Sequence, residues 1–509
     1  MRNGTVMWMS MFWVTLSGTT VTGSADLRMH VNNSDSFLGD VRVNSIGGSG
    51  LRFGTGGSPG FGTLAAGRTV TVGAGGFDSG ALLFDNFTQL GGTPQSVITT
   101  GTSLLYFFSG TTFNADLTTA SPRLFLNGGT FQGVSSFTKT GPSNDNSDGN
   151  CTFNGPLYLS TTGTGEIRMH VLGNDAYNQD VTLTNVGGGG IRFGTGSSAG
   201  TGTLAAGRVV QIGGAGFNAG NLSFDNFVQL GAVPQSLTIT GTSVLTFYTG
   251  TVFNARITTS SPRLYLNGAT FMDVAQFNKT GAVDDASTGG NTFNGPTELT
   301  STGTGAIWLD ATGTDAFNGD LLVNSTSTGG IRFGQNGGSA TLASGRTIAV
   351  GSSGYSGGIL LFRNFIQAGS AMPNALMCTG TSALYFQPGS IFNASLNTTS
   401  GALFLNGTTF NSTLTCLKTG SSTDGSTGGC TFNGATDLIV NGNGALQLEN
   451  SAADAFNDDL RVFRRGDVGW ASVSARWFGV STGGVSFNKD FRLTLVWVRE
   501  NGAWLITHE

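Results

Sequence analysis

The chain has 509 residues, enough for several domains, yet only 10% are charged, the formal net charge is -5, and Gly occurs 83 times. That balance excludes a basic surface able to neutralise phosphates, so nucleic acid is not an expected partner. With 37 Phe and a 38% hydrophobic fraction it also excludes disorder, and abundant Thr, Ser, Val, Phe and Leu between Gly and Asn predict an all-β fold.

At the start, Val6 to Leu16 follows Arg2 and precedes Gly23-Ser24-Ala25, and has the length of a signal-peptide apolar segment. Residues 1–21 therefore read as a signal-type or other non-repeat start, the alternative being a start inside a longer reading frame. No apolar run reaches the roughly 20 residues of a transmembrane helix.

From Thr22 the chain repeats. Arg28-Met29-His30 returns 140 residues later as Arg168-Met169-His170, and Phe153-Asn154-Gly155-Pro156 returns as Phe293-Asn294-Gly295-Pro296, then as Phe432-Asn433-Gly434. Copies span about 22–161, 162–301 and 302–440, with a fragment at 441–458. Inside a copy, Phe113, Phe131, Phe153 and Tyr177 recur at steps of 18, 22 and 24 residues. That is the length of one coil of a parallel β-solenoid (β-helix), about 20 residues, and implies about seven coils per copy. Ile191-Arg192-Phe193, Leu264-Tyr265-Leu266 and Leu403-Phe404-Leu405 alternate with period two, so the outer residues face the core and the middle one faces out. Phe153, Phe293 and Phe432 are then equivalent core positions, each followed by an Asn-Gly turn whose Asn can build an amide ladder from coil to coil.

The string Asn291-Thr292-Phe293-Asn294-Gly295 and its counterparts resemble the autotransporter-associated and Phe-Asn-Gly β-strand repeats of large bacterial surface proteins. The resemblance covers about residues 22–458 and implies a β-helical stalk outside the cell, often concerned with adhesion.

Alternation places Tyr106, Phe108 and Phe125 of the first copy outside, with Tyr248 and Tyr265 of the second and Tyr385 and Phe404 of the third. Such aromatics suit stacking on sugar rings or packing against a partner; the alternative is that they shield backbone or lie beneath a loop. The loop Asn144 to Gly149 has the spacing of half a calcium loop, with Asp145 and Asp148 as ligands, against the plainer reading of a polar loop. No other cofactor is expected. The pairs Asp35 and Asp40, Asp175 and Asp180, Asp315 and Asp320, and Asp454 and Asp459 could serve a polysaccharide-processing enzyme, but their repetition favours turn residues. Lys139, Lys279 and Lys418, each before Thr-Gly, read as solvated turn residues. Four Cys form no metal pattern and read as small buried side chains, with a Cys416 to Cys430 disulfide open in an oxidising compartment. His30 and His170 are matched by Asp310, so no triad or zinc set assembles from the three His.

From about Asp459 the composition changes, with Trp470, Trp477, Trp497 and Trp504 close together. Arg461-Val462-Phe463 and the run Val498 to Glu509 resemble the last strands of a SnoaL-like α+β cone, a fold used for small-molecule pockets and for dimerisation. The stretch 459–509 is accordingly part of such a domain or a cap on the solenoid. The expected whole is a structural or adhesive extracellular bacterial solenoid, not an enzyme, whose partners are cell-surface glycans or other surface proteins. A β-helix polysaccharide-processing enzyme and a function carried by a SnoaL-like tail are the alternatives, and the oligomeric state is left open.

Overall fold

The computed structural model describes residues 19–464, apart from 23, 24, 46, 49, 58 and 335, and beyond them the backbone of three tail strands. The signal-like segment and the four Trp side chains of the tail lie outside the described residues. Every regular element among the described residues is a strand, and no helix is long and apolar enough to cross a membrane. The chain forms two compact units, Met1–Asp273 and Val274–Glu509.

In each unit the chain winds as a three-sided parallel β-solenoid. One coil of the first unit runs through Leu117–Ser121, Arg123–Asn127 and Thr130–Phe131, which join three separate stacks here called the first, second and third sheets. Neighbouring coils lie in register, so that Leu117 faces Ser135, Tyr106 faces Phe125, and Phe131 faces Phe153. Each strand carries the period-two pattern: in Arg123–Asn127 only Leu124 and Leu126 are buried, and in Ile191–Phe193 Ile191 and Phe193 are buried with Arg192 between them. A parallel stack puts like residues one above another, which is why the same pattern recurs down the chain.

The coils are longer and fewer than their motif spacing suggests. The third-sheet ladder passes through Phe37, Leu64, Gln89, Phe113, Phe131, Phe153 and Tyr177, six steps per copy with about 23 residues per coil. Two of these rungs carry Leu64 and Gln89 instead of an aromatic residue, so a search for Phe-Asn passes over them. The rise per copy is then roughly 29 Å at ~4.8 Å per coil, not the value for seven coils.

Phe153, Phe293 and Phe432 are each at most 1% exposed. Phe153 stacks between Phe131 and Tyr177 at 5.2 and 5.5 Å, Phe293 stacks on Phe317 at 4.7 Å, and Phe432 lies between Phe410 and Phe456 at 5.4 and 4.5 Å. Burying each ring contributes about 2–3 kcal/mol, and the offset stacking adds to it. The Asn after each Phe forms the expected ladder outside: Asn178 donates to Asn154 at 2.7 Å, Asn318 to Asn294 at 2.9 Å, and Asn457 to Asn433 and Asn433 to Asn411 at 2.6 Å each.

The solenoid runs slightly past its last recognisable motif. Leu460–Arg464 pairs in parallel with Thr436–Val440, so Arg461-Val462-Phe463 belongs to the last rung of the first sheet and not to the tail. Beyond it, Val468–Val480, Ser486–Glu500 and Ala503–His508 form an antiparallel sheet.

Candidate functional site

The positions of the second sheet that alternation turns away from the core form a ladder in register from coil to coil, in which Leu83, Ser223 and Thr246 are nevertheless buried. In the first unit the register stacks Arg28 on Arg52, Arg52 on Leu83, Leu83 on Tyr106 and Tyr106 on Phe125. The second copy repeats it as Arg168, Arg192, Ser223, Thr246 and Tyr265. In the second unit the order is Trp308, Arg332, Leu361, Tyr385 and Phe404. In the first two copies a guanidinium end leads through buried middle residues to an aromatic end, while the third opens on Trp308 before Arg332; in all three the strands beneath are paired in register.

Tyr106 and Phe125 stack nearly parallel with centroids 4.3 Å apart, and Tyr385 and Phe404 do so at 4.1 Å. Arg123 lies 5.1 Å from the Phe125 ring, and Arg263 lies 5.3 Å from Tyr265 and bonds its hydroxyl. These aromatic side chains are half-buried, so they face out but shield one another. Burial also raises the Tyr106 and Tyr385 hydroxyls above their usual pKa. Phe108 and Tyr248 also meet a loop: Gly56 and Gly196, at φ +86 and +94, bring their loops against these rings, and a Cβ there would sit 3.6 and 3.4 Å from them. Those two rings are half-buried like the others, with a loop against one side of each. Beside Tyr106 opens a cleft of about 460 Å³ lined by Asp26, Arg52, Thr55, Leu83, Tyr106 and Phe108.

The proposed calcium ligands do not converge. Asp145 points into the core and is fully buried, while Asp148, three residues on, is exposed on the opposite side of the wall. Asp145 pairs instead with Lys139, Nζ to Oδ2 2.7 Å, and both side chains are 0% exposed. The same buried pair recurs as Lys279 with Asp285 and Lys418 with Asp424, both at 3.2 Å. The three Lys are therefore core residues and not solvated turns. Asp145 and Asp424 replace a missing carbonyl where the second sheet is interrupted: Leu124 N donates to Asp145 and Leu126 N to Ser147 Oγ, as Leu403 N does to Asp424 and Leu405 N to Ser426 Oγ. Burial lowers the pKa of the Lys139 ammonium, opposed by its bond to Asp145.

The repeated Asp pairs also divide. Asp40, Asp180 and Asp320 are turn residues that accept from the next coil at Thr69, Val209 and Thr347. Asp35, Asp175, Asp315 and Asp454 are buried and hold a backbone N–H inside the wall, as Asp175 does for Cys151 at 2.9 Å. Asp35 and Asp175 also accept from the N–H of His30 and His170, residues held at φ 32 and 36; Asp310 and Glu449 occupy the same left-handed turn at 44 and 58. His170 Nε2 meets Asp225 O at 3.1 Å, and burial pushes its pKa down to about 4. Burial raises Asp175 to about 7 and Asp315 to about 6, and it raises Asp310 well above the ordinary range. These groups lie in the core. Among the described residues no group of three or more His, Cys, Asp or Glu could hold a metal. All four Cys are buried free thiols, Cys416 and Cys430 included, and burial raises Cys378, Cys416 and Cys430 to about 12.

No protein-family model, no curated protein and no solved structure matches the chain.

Proposed function

We propose that this chain is the display region of an extracellular bacterial surface protein, whose solenoid presents the arginine and aromatic ladder of its second sheet to glycans. The observation that carries the reading is the Arg52, Leu83, Tyr106 and Phe125 ladder beside its cleft, with Tyr106 and Phe125 stacked at 4.3 Å on a rigid wall. The stacked aromatic pair next to an Arg and an Asp offers what a neutral sugar needs: half-exposed apolar ring surface, with a donor and an acceptor for its hydroxyls. The buried Asp and His groups supply no such surface, since they are consumed in holding one coil to the next.

The test is binding of the full chain to an array of neutral oligosaccharides, compared with a variant carrying Tyr106→Ser, Phe125→Ser, Tyr265→Ser, Tyr385→Ser and Phe404→Ser. Loss of stacking at about 1 kcal/mol per ring should weaken binding by at least about tenfold while the β spectrum stays unchanged. A folded variant that binds as well as the parent refutes the reading.

A further inference from the structure

The three copies differ in how the arginine of the ladder is neutralised. In the first, Asp26 Oδ2 lies 2.6 Å from Arg52 Nε. In the second, Glu166 Oε2 is 2.7 Å from Arg168 and 3.6 Å from Arg192, whose Nε also donates to Ser223 Oγ at 3.1 Å. In the third, Ala306 stands where the acid was, Leu361 where Ser223 was, and Trp308 where Arg168 was. Arg332 has no carboxylate partner among the described residues, and neither its Nε nor the Trp308 Nε1 has an acceptor. The Arg332 guanidinium carbon lies 5.1 Å from the Trp308 ring centroid, and the two residues face each other in register. Tyr385 and Phe404 continue the same ladder.

In the first two copies two guanidiniums share one carboxylate, Arg28 and Arg52 on Asp26 and Arg168 and Arg192 on Glu166, whereas in the third the ladder's single guanidinium touches none among the described residues. A half-buried guanidinium stacked on indole is partly stripped of water, and its planar fork fits a carboxylate with two parallel N–H···O bonds. We propose that the third copy binds a chain of acidic sugars, a uronate oligomer, with one carboxylate on Arg332, one sugar ring against Trp308 and a further ring against Tyr385 three coils along the ladder. In copies one and two the acceptors Asp26 and Glu166 already occupy the guanidinium forks, so these copies take uncharged sugars at the corresponding positions. The inference rests on the glycan reading above and adds a charge preference confined to one copy.

The experiment compares binding of oligogalacturonate and of its methyl ester, the same sugar without the charge, to the full chain and to Arg332→Gln. The parent should prefer the free acid by about tenfold or more at low salt, one charge-assisted bidentate contact, with the preference shrinking as salt is raised. Arg332→Gln should bring the acid down to the affinity of the ester, with ester binding and the β spectrum unchanged. Equal binding of acid and ester by the parent, or an acid preference that survives in Arg332→Gln, overturns the uronate site and leaves the glycan reading standing. If neither sugar binds and the neutral array is also blank, both fall.

Discussion

Lys418→Met separates the cost of a buried charge from the cost of a lost side chain. Lys418 is 0% exposed and its Nζ lies 3.2 Å from Asp424, with the carbonyls of Gly420 and Ser422 at 3.0 and 2.6 Å. Met fills the same space without the charge, so Asp424, at 2% exposure, is left as an unmatched anion holding Leu403 N. Breaking a buried pair from one side costs about 3–5 kcal/mol. The variant should thus be destabilised by about 3–5 kcal/mol. Lys139→Met is the internal control, because Arg123 Nε remains 2.9 Å from Asp145; Ala402 stands at the corresponding place in the third copy. Its loss should be smaller, about 2 kcal/mol. Lys418→Met with Asp424→Asn should return to within about 1.5 kcal/mol of the parent, since the amide oxygen can still accept from Leu403 N. The readout is hydrogen exchange of the amides of Leu403 and Leu405, which bridge this interruption, alongside denaturant melts. Equal losses for Lys418→Met and Lys139→Met, or no recovery in the double variant, would refute the reasoning.

Phe293→Ala should cost about 3–5 kcal/mol, and hydrogen exchange should place the damage within a coil or two, because solenoid coils contact mainly their neighbours; global unfolding would contradict that. The core carboxyls give the third copy a distinct pH response. Asp315 is raised to about 6 and Asp310 well above its ordinary value, so their stabilising contribution is full below about 3.8 and is lost as pH rises, for Asp315 through about 6. In the second copy Asp175, raised to about 7, acts in the same sense, but His170, lowered to about 4, acts oppositely, its contribution being lost as pH falls from 6.5 toward 4. Hydrogen exchange should therefore show the third copy gaining protection from pH 8 to pH 5 while the second changes little. Asp310→Asn, tolerated at φ 44, should flatten that gain; an unchanged pH response would count against it.

Much of the fold is local enough to read from the chain itself. Alternation in Leu264-Tyr265-Leu266 or Leu403-Phe404-Leu405 states which side chain faces in, and repetition of Phe before Asn-Gly states that the strands must stack with like on like. From these follow the parallel solenoid, the buried Phe153, Phe293 and Phe432, and the Asn ladder beside them. The outward direction of Tyr106, Phe125, Tyr385 and Phe404 follows from the same period.

What a residue meets across a coil is not local. Lys139 and Asp145 look like ordinary turn residues, and only the interruption of the second sheet draws both inside, where the carboxylate replaces a carbonyl and the ammonium cancels its charge. Phe108 and Tyr248 alternate outward like their neighbours, yet loops at Gly56 and Gly196 lie against one side of each ring. The ladder from Arg52 to Tyr106 joins residues on three successive coils, and its register depends on the lengths of the turns between them. Sequence alone determined the period, the faces and the core, because these depend on a residue and its neighbours two positions away. Tertiary structure decided the pairings and the coverage, because coils of unequal length bring together groups that no fixed spacing in the chain predicts.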